Sequence, residues 1–151
     1  MSAHPVPPAA EIEALAGHRF NGGTYRIAHW ENFLLTGCTG ADLLPQGIAH
    51  PSALFHLPIA GSGTSIAEMF ALGQAESDLS IMIESYDWRF FQPLCEETDY
   101  EVEGRIRSAE RCSNTEGKLY DRIQFQFDVS LPAGEPVARS VITWHYTRDT
   151  L

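Results

Sequence analysis

Apolar residues fall into two regimes along the chain. From Gly47 to Leu72 they crowd together with no wet face: Ala49, Leu54, Leu57, Ile59, Ile66, Met69 and Phe70 are interrupted by one carboxylate, Glu68. A surface helix keeps one polar face, so this stretch predicts a helix covered on every side. From Asp78 onward the period changes to two. Ile81 to Phe91 is apolar and aromatic on both faces, the pattern of a long central strand. Tyr100, Val102, Gly104 and Ile106 alternate with Glu101, Glu103, Arg105 and Arg107, which predicts a half-buried strand. After a turn signal at Ser113 to Gly117, Ile123, Phe125, Phe127, Val129 and Leu131 alternate with polar residues and complete a hairpin. Pro132 to Pro136 breaks the chain, and Val137 to Tyr146 forms a last strand.

The first third is less regular. Three prolines in Met1 to Ala10 predict a loose lead-in, Glu11 to Leu15 a turn of helix stopped at Gly17, and His18 to Ile27 a strand bent at Asn21 to Gly23. Trp30, Phe33, Leu34 and Gly37 share helical spacing and predict a short amphipathic helix, followed by a loop from Ala41 to Gly47. Pro51 suits the first position of the long helix, which makes His50 its N-cap. Pro58 and Gly61-Ser62-Gly63 break that helix, and Ser65 with Glu68 gives S-x-x-E, a capping box, for the piece that resumes. The elements describe an α+β chain: a five-stranded antiparallel sheet wrapped around a long, broken central helix. Residues 1–16 are the expected lead-in, 17–148 a single domain and 149–151 a tail.

Composition narrows the partners. A net charge of -10 argues against nucleic acid and anionic membrane surfaces, which attract clustered Lys and Arg. Three cysteines with no C-x-x-C spacing argue against a disulfide framework or a thiolate zinc site, and suit a reducing compartment. The start of the chain has no secretory pattern, and no run approaches the roughly 20 apolar residues of a membrane span, so the expected location is the cytoplasm.

A sheet curled round one helix resembles the hot-dog fold, and particular residues resemble the MaoC-like hydratase and dehydratase family of acyl thioesters. Gly17-His18-Arg19-Phe20, Tyr25-Arg26-Ile27 and Phe33 to Asp42 look like that family's opening strand, helix and small-residue loop ending in Asp. Ile48-Ala49-His50-Pro51 is similar to the start of its hot-dog helix. Tyr86 to Leu94, with Tyr100 to Ile106 behind it, looks like its central strand pair, and Gly134 to Ser140 like its closing strand. One departure stands out. Active members carry Asp and His in a D-x-N-P-x-H run, whereas seven residues separate Asp42 from His50 here. That variation is similar to the branch whose hot-dog domains have lost or rearranged the pair and serve as a non-catalytic half.

The resemblance implies a hydro-lyase acting on an enoyl or 3-hydroxyacyl thioester of coenzyme A or acyl-carrier protein, with no metal and no cofactor, built as a homodimer or heterodimer of hot-dog subunits. Hydration of an enoyl thioester needs a base for water, an acid for Cα and donors for the thioester oxygen. His50 and Asp42 are the candidates for the proton transfers, and the helix start after His50 for the donors. Gly47, Ser52, His56, Gly61 and Trp88 are the candidates for lining the substrate site. Against these stand structural roles: an Asp in a Gly-rich loop caps turns, a His in an apolar helix is usually a bonded core residue, and an aromatic on a two-sided strand is usually core. Two other functions fit: a non-catalytic partner subunit or acyl-binding module, and a thioesterase using Glu68. Scattered histidines give no metal-ligand spacing, and the Gly61 to Gly63 trio matches neither a serine elbow nor a phosphate loop.

Overall fold

The computed structural model describes residues 5–148. Strands β1 (Gly23–Arg26), β2 (Ile81–Phe90), β3 (Asp99–Ser113), β4 (Leu119–Ser130) and β5 (Pro136–Thr147) form one antiparallel sheet in the order β1-β3-β4-β5-β2. Helices α1 (Ala9–Glu13), α2 (His29–Cys38), α3 (Leu57–Gly61) and α4 (Ile66–Leu72) all precede β2 in the chain, and 3₁₀ turns occupy Pro45–Gly47, Pro51–Phe55 and Asp78–Ser80. None of these helices is long and apolar enough to cross a membrane.

The period-two readings of β3 and β4 hold on the apolar face, while Gln126 on the opposite face of β4 is buried as well. Tyr100, Val102 and Ile106 are buried, their neighbours Glu101, Glu103 and Arg105 are exposed, and Ile123, Phe125, Phe127 and Val129 face the same core. One row crosses the sheet from Ile106 through Phe125 and Ile142 to Tyr86. Cross-strand apolar rows of this kind fix the register, since a slip of one residue would turn the whole row to solvent.

Three sequence expectations change. β2 is an edge strand, not a central one: it pairs with β5 alone, and Met82 and Ile83 are 58% and 61% exposed. β3, read as its partner, lies instead between β1 and β4. The hairpins β3-β4 and β4-β5 occupy both sides of β4, β1 takes the free side of β3, and β2 takes the free side of β5, which leaves β1 and β2 as the two edges. Apolar periodicity reports a face and carries no information about the neighbouring strand.

The second change concerns the apolar helix, which is three short pieces covered on one side. Pro58 has no N–H to donate, so the turn Pro51–Phe55 ends at His56 and α3 begins behind it, with Pro58 in its first turn. Ala53, Leu54, Leu57 and Gly61 are buried against the sheet. In α4 only Met69 is buried, and Ile66 is 43% exposed. Ser65 caps α4 as expected, with its Oγ accepting from the Glu68 N–H at 3.1 Å, but the Glu68 carboxylate takes the Thr64 hydroxyl at 3.0 Å and leaves the box half closed. The turn of helix expected at Glu11 to Leu15 is α1, shifted two residues toward the N-terminus, and its Ile12 is fully buried with Phe20 and Ile106. The tail 149–151 and residues 1–4 lie outside the described residues.

Helix α2 turns its apolar spacing outward. Trp30, Phe33 and Leu34 are exposed, while Asn32 and Thr36 are buried. The inversion follows from hydrogen bonds: Asn32 donates to Glu96 Oε2 at 2.8 Å and accepts the His50 N–H at 2.9 Å, so this face ties α2 to the chain on either side. At the far end of the sheet, fully buried Asp121 accepts from Arg111 and from Arg148, the latter at 2.7 Å. Arg111 also reaches the Pro7 carbonyl, and Arg148 the carbonyls of Gly73 and Gln74.

Candidate functional site

The break at His56 places an imidazole where a continuous helix would have carried a buried turn. His56 closes one turn and opens the next, and its ring reaches both α2 and the β1 edge of the sheet. Nε2 lies 2.5 Å from Oε1 of Glu31. The same oxygen accepts the Tyr25 hydroxyl from β1 at 2.6 Å, and Oε2 accepts the Ala28 N–H at 3.3 Å, so Glu31 also caps its own helix. The Tyr25 and His56 rings meet edge to face with centroids 5.9 Å apart.

Charge in this cluster is well defined. Burial alone would push the Glu31 carboxyl up, but the donors Tyr25, His56 and the Ala28 N–H outweigh it and hold the group below its usual value. It is therefore ionised near neutrality, and the His56 nitrogen facing it carries a proton. Burial first, then the adjacent carboxylate, pushes the Tyr25 phenol up, so Tyr25 stays a donor. With Nε2 committed, the lone pair of neutral His56 sits on Nδ1, which has no partner among the described residues. This is the arrangement in which a carboxylate orients an imidazole as a base.

His56 lines a cavity of about 390 Å³ between the helical pieces and β2, whose walls include Phe55, Ile59, Ile66 and Tyr86 with Thr64 and Ser65 at one side. Phe55 and Tyr86 are in ring contact at 5.0 Å. An apolar chamber with one oriented imidazole suits an uncharged chain presenting a reactive group to a proton carrier.

The other sequence candidates lie elsewhere. His50 caps the turn after it: Nδ1 accepts the Ser52 N–H at 3.1 Å and meets Ser52 Oγ at 2.7 Å. Because Nδ1 is the acceptor, neutral His50 offers an N–H at Nε2 and no lone pair. Asp42 is exposed, and no hydrogen bond joins it to His50 or to any other described residue. Gly47 accepts the Glu96 N–H at 2.8 Å. Gly61 is a packing position, since a Cβ there would come 2.7 Å from Val102 Cγ2 and 3.1 Å from Tyr25 Cβ. Trp88 faces inward from β2 with its Nε1 buried and unpartnered among the described residues. Of the seven candidates, only His56 joins the cluster, and sequence reasoning passed over Glu31 and Tyr25. Glu31 stands three residues after Ala28, the position a helix cap uses, which is a signal for its bond to the backbone but not for its bond to His56. No three His, Cys, Asp or Glu side chains converge as a metal site among the described residues.

No protein-family model matches the sequence, and no curated protein matches it. Solved structures do. The ChsH1-ChsH2 complex from Mycobacterium tuberculosis is similar with a TM-score of 0.69 at 10% identity, over 95% of this chain and 90% of that one. The chain has the hot-dog fold. A second hot-dog structure, the HadBC (3R-hydroxyacyl-ACP dehydratase) complex from the same organism, matches with a TM-score of 0.66 at 11% identity over 87% of this chain and 96% of that one. A thioesterase from Thermus thermophilus, solved with coenzyme A and zinc, matches with a TM-score of 0.52 at 12% identity over 84% and 79%. The hot-dog neighbours thus include dehydratases and thioesterases.

Proposed function

We propose that the chain is an acyl-thioester hydro-lyase in which His56, oriented by Glu31, carries the proton. The observation that supports this reading is the Glu31-His56 pair at the wall of an apolar cavity in a hot-dog fold. In the hydration direction Nδ1 of His56 takes a proton from water while the oxygen bonds to Cβ, the double bond gives its electrons to Cα, and the imidazolium returns the proton there. One water is consumed, and its oxygen and one hydrogen end on Cβ and the other hydrogen on Cα. Dehydration is the reverse. The carrier is coenzyme A or acyl-carrier protein, and the dehydratase among the neighbours favours this chemistry over thioester hydrolysis. Glu68, the acid a thioesterase would use, is exposed and engaged with Thr64.

Two further features favour a second hot-dog subunit, the same chain or a related one. Among the described residues the outer edge of β2 is unpaired, and Trp30, Phe33 and Leu34 form an exposed apolar face that none of them covers. Two of the neighbours are complexes. Loss of enoyl-thioester absorbance on adding the purified protein, alone and with co-expressed hot-dog subunits, tests the activity. The same rate with His56→Ala as with the parent would remove the assignment, and activity that needs a partner but not His56 would assign the chain as the non-catalytic half.

A further inference from the structure

On the face of the sheet turned away from the helices lies a polar cavity of about 200 Å³, lined by Arg19, Arg105 and Arg139 together with Glu103, Gln126 and Asp128. Arg105 alternates with Gly104 and Ile106, which face the core, so the cavity is on the opposite side from His56. Three of the ten basic residues of a chain with net charge -10 meet there.

Their pairing is unusual. Arg19 and Arg105 are direct partners across an antiparallel bridge. The flanking bonds run from Phe20 N–H to the Gly104 carbonyl and from Ile106 N–H to the His18 carbonyl, which puts the two arginines at a non-hydrogen-bonded position, where side chains approach most closely. Like charges directly opposite one another destabilise a sheet. Neither arginine has an ion pair among the described residues, although acidic residues outnumber basic ones 20 to 10. Of the two acids at the cavity, Asp128 is engaged, accepting from Arg139 Nε at 2.6 Å and, on its other oxygen, from Gln126 at 2.9 Å, while Glu103 is exposed and makes no ion pair among the described residues. Gln126 is only 4% exposed, which fixes the Asp128 carboxylate, and the two outer nitrogens of Arg139 have no hydrogen bond among the described residues.

We propose that this cavity binds a phosphate group, as the free anion or as the monoester of a small ligand, independently of thioester chemistry on the other face. A tetrahedral dianion would sit between the facing guanidiniums, whose planar N–H forks match phosphate oxygens, and would supply the negative charge the bridge lacks.

Thermal unfolding and calorimetric titration of the full chain test this with inorganic phosphate and with adenosine 3′,5′-bisphosphate, each against chloride at equal ionic strength. Saturable stabilisation by phosphate beyond that of chloride is expected, reduced at least tenfold in affinity by Arg19→Gln with Arg105→Gln and unchanged by Arg107→Gln, an exposed arginine of the same strand outside the cavity. In phosphate-free buffer the double variant is expected to be at least as stable as the parent, because the facing charges are gone. Tighter binding of inorganic phosphate identifies a free-anion site, and tighter binding of the bisphosphate a monoester ligand. A response equal to that of chloride, or one that survives the double substitution, overturns the proposal.

Discussion

Glu31 and His56 stand 25 positions apart in the sequence and 2.5 Å apart at Oε1 and Nε2. The bond selects one imidazole tautomer and turns one nitrogen, Nδ1, into the reactive end. His50 is held the opposite way round, with Nδ1 spent on Ser52. The two histidines are therefore chemically distinct although they flank the same turn.

Substitution separates them. His56→Ala is expected to lower the rate of enoyl-thioester hydration by roughly 10²–10⁴, the usual worth of a positioned acid-base group. Glu31→Gln keeps the shape but not the charge, and a loss of roughly 10–10³ is expected as the tautomer is freed. His50→Ala should stay within about threefold, since only a cap is removed. Initial rates followed by enoyl absorbance, with circular dichroism as a check on folding, decide among these outcomes.

Packing beneath the site gives a second expectation. A methyl at Gly61 would press into Val102 and Tyr25, so Gly61→Ala should destabilise the fold by about 1–3 kcal/mol, and Val102→Ala in the same chain should recover part of it. Because Tyr25 is one of the displaced neighbours, activity should fall further than stability alone explains. Urea unfolding midpoints and rates on the same preparations test both parts.

Asp121 carries a larger share of stability. It is fully buried and accepts from two arginines, one of them equally buried. Asp121→Asn leaves those cations without their counter-charge in a dry site, and a loss of about 3–5 kcal/mol is expected in equilibrium unfolding.

Acid should act at the open edge. Arg122 first and His145 second hold the Glu84 carboxyl at about 2, against an ordinary 4.5. A depressed carboxyl contributes stability that is complete above its unfolded value and is lost as pH falls through its folded one. The contribution should therefore fade between pH 4.5 and about 2, and Glu84→Gln should show a shallower loss of melting temperature over that window. Because the pair is part-exposed, salt should weaken the difference.

The strands were legible because alternation survives in a sheet with one wet face: Tyr100, Val102 and Ile106 declared their side without knowledge of their neighbours. The position of β2 was not legible, since Ile81 to Phe91 is equally apolar at an edge or a centre. The cap at His50 and the start at Pro51 follow from local backbone chemistry and were readable. Glu31 was not, because its partners come from β1 and from beyond the Pro45–Gly47 turn, and no local rule links them. Helix α2 misleads for a related reason: Asn32 and Thr36 are buried by bonds to Glu96 and His50, which hydrophobic spacing does not record.

The Asp121 cluster joins residues remote in the chain. Arg111 reaches back 104 positions to Pro7, and Arg148 reaches back 74 to Gln74. Among the described residues the Asp121 carboxylate itself bonds only to residues of its neighbouring strands' hairpins, to Arg111 ten positions away and to Arg148 twenty-seven away. One carboxylate in β4 thus aims two guanidiniums whose remaining nitrogens reach segments outside those hairpins, Pro7 before α1 and Gly73 and Gln74 after α4, and so acts as a clasp between the sheet and the chain that precedes it.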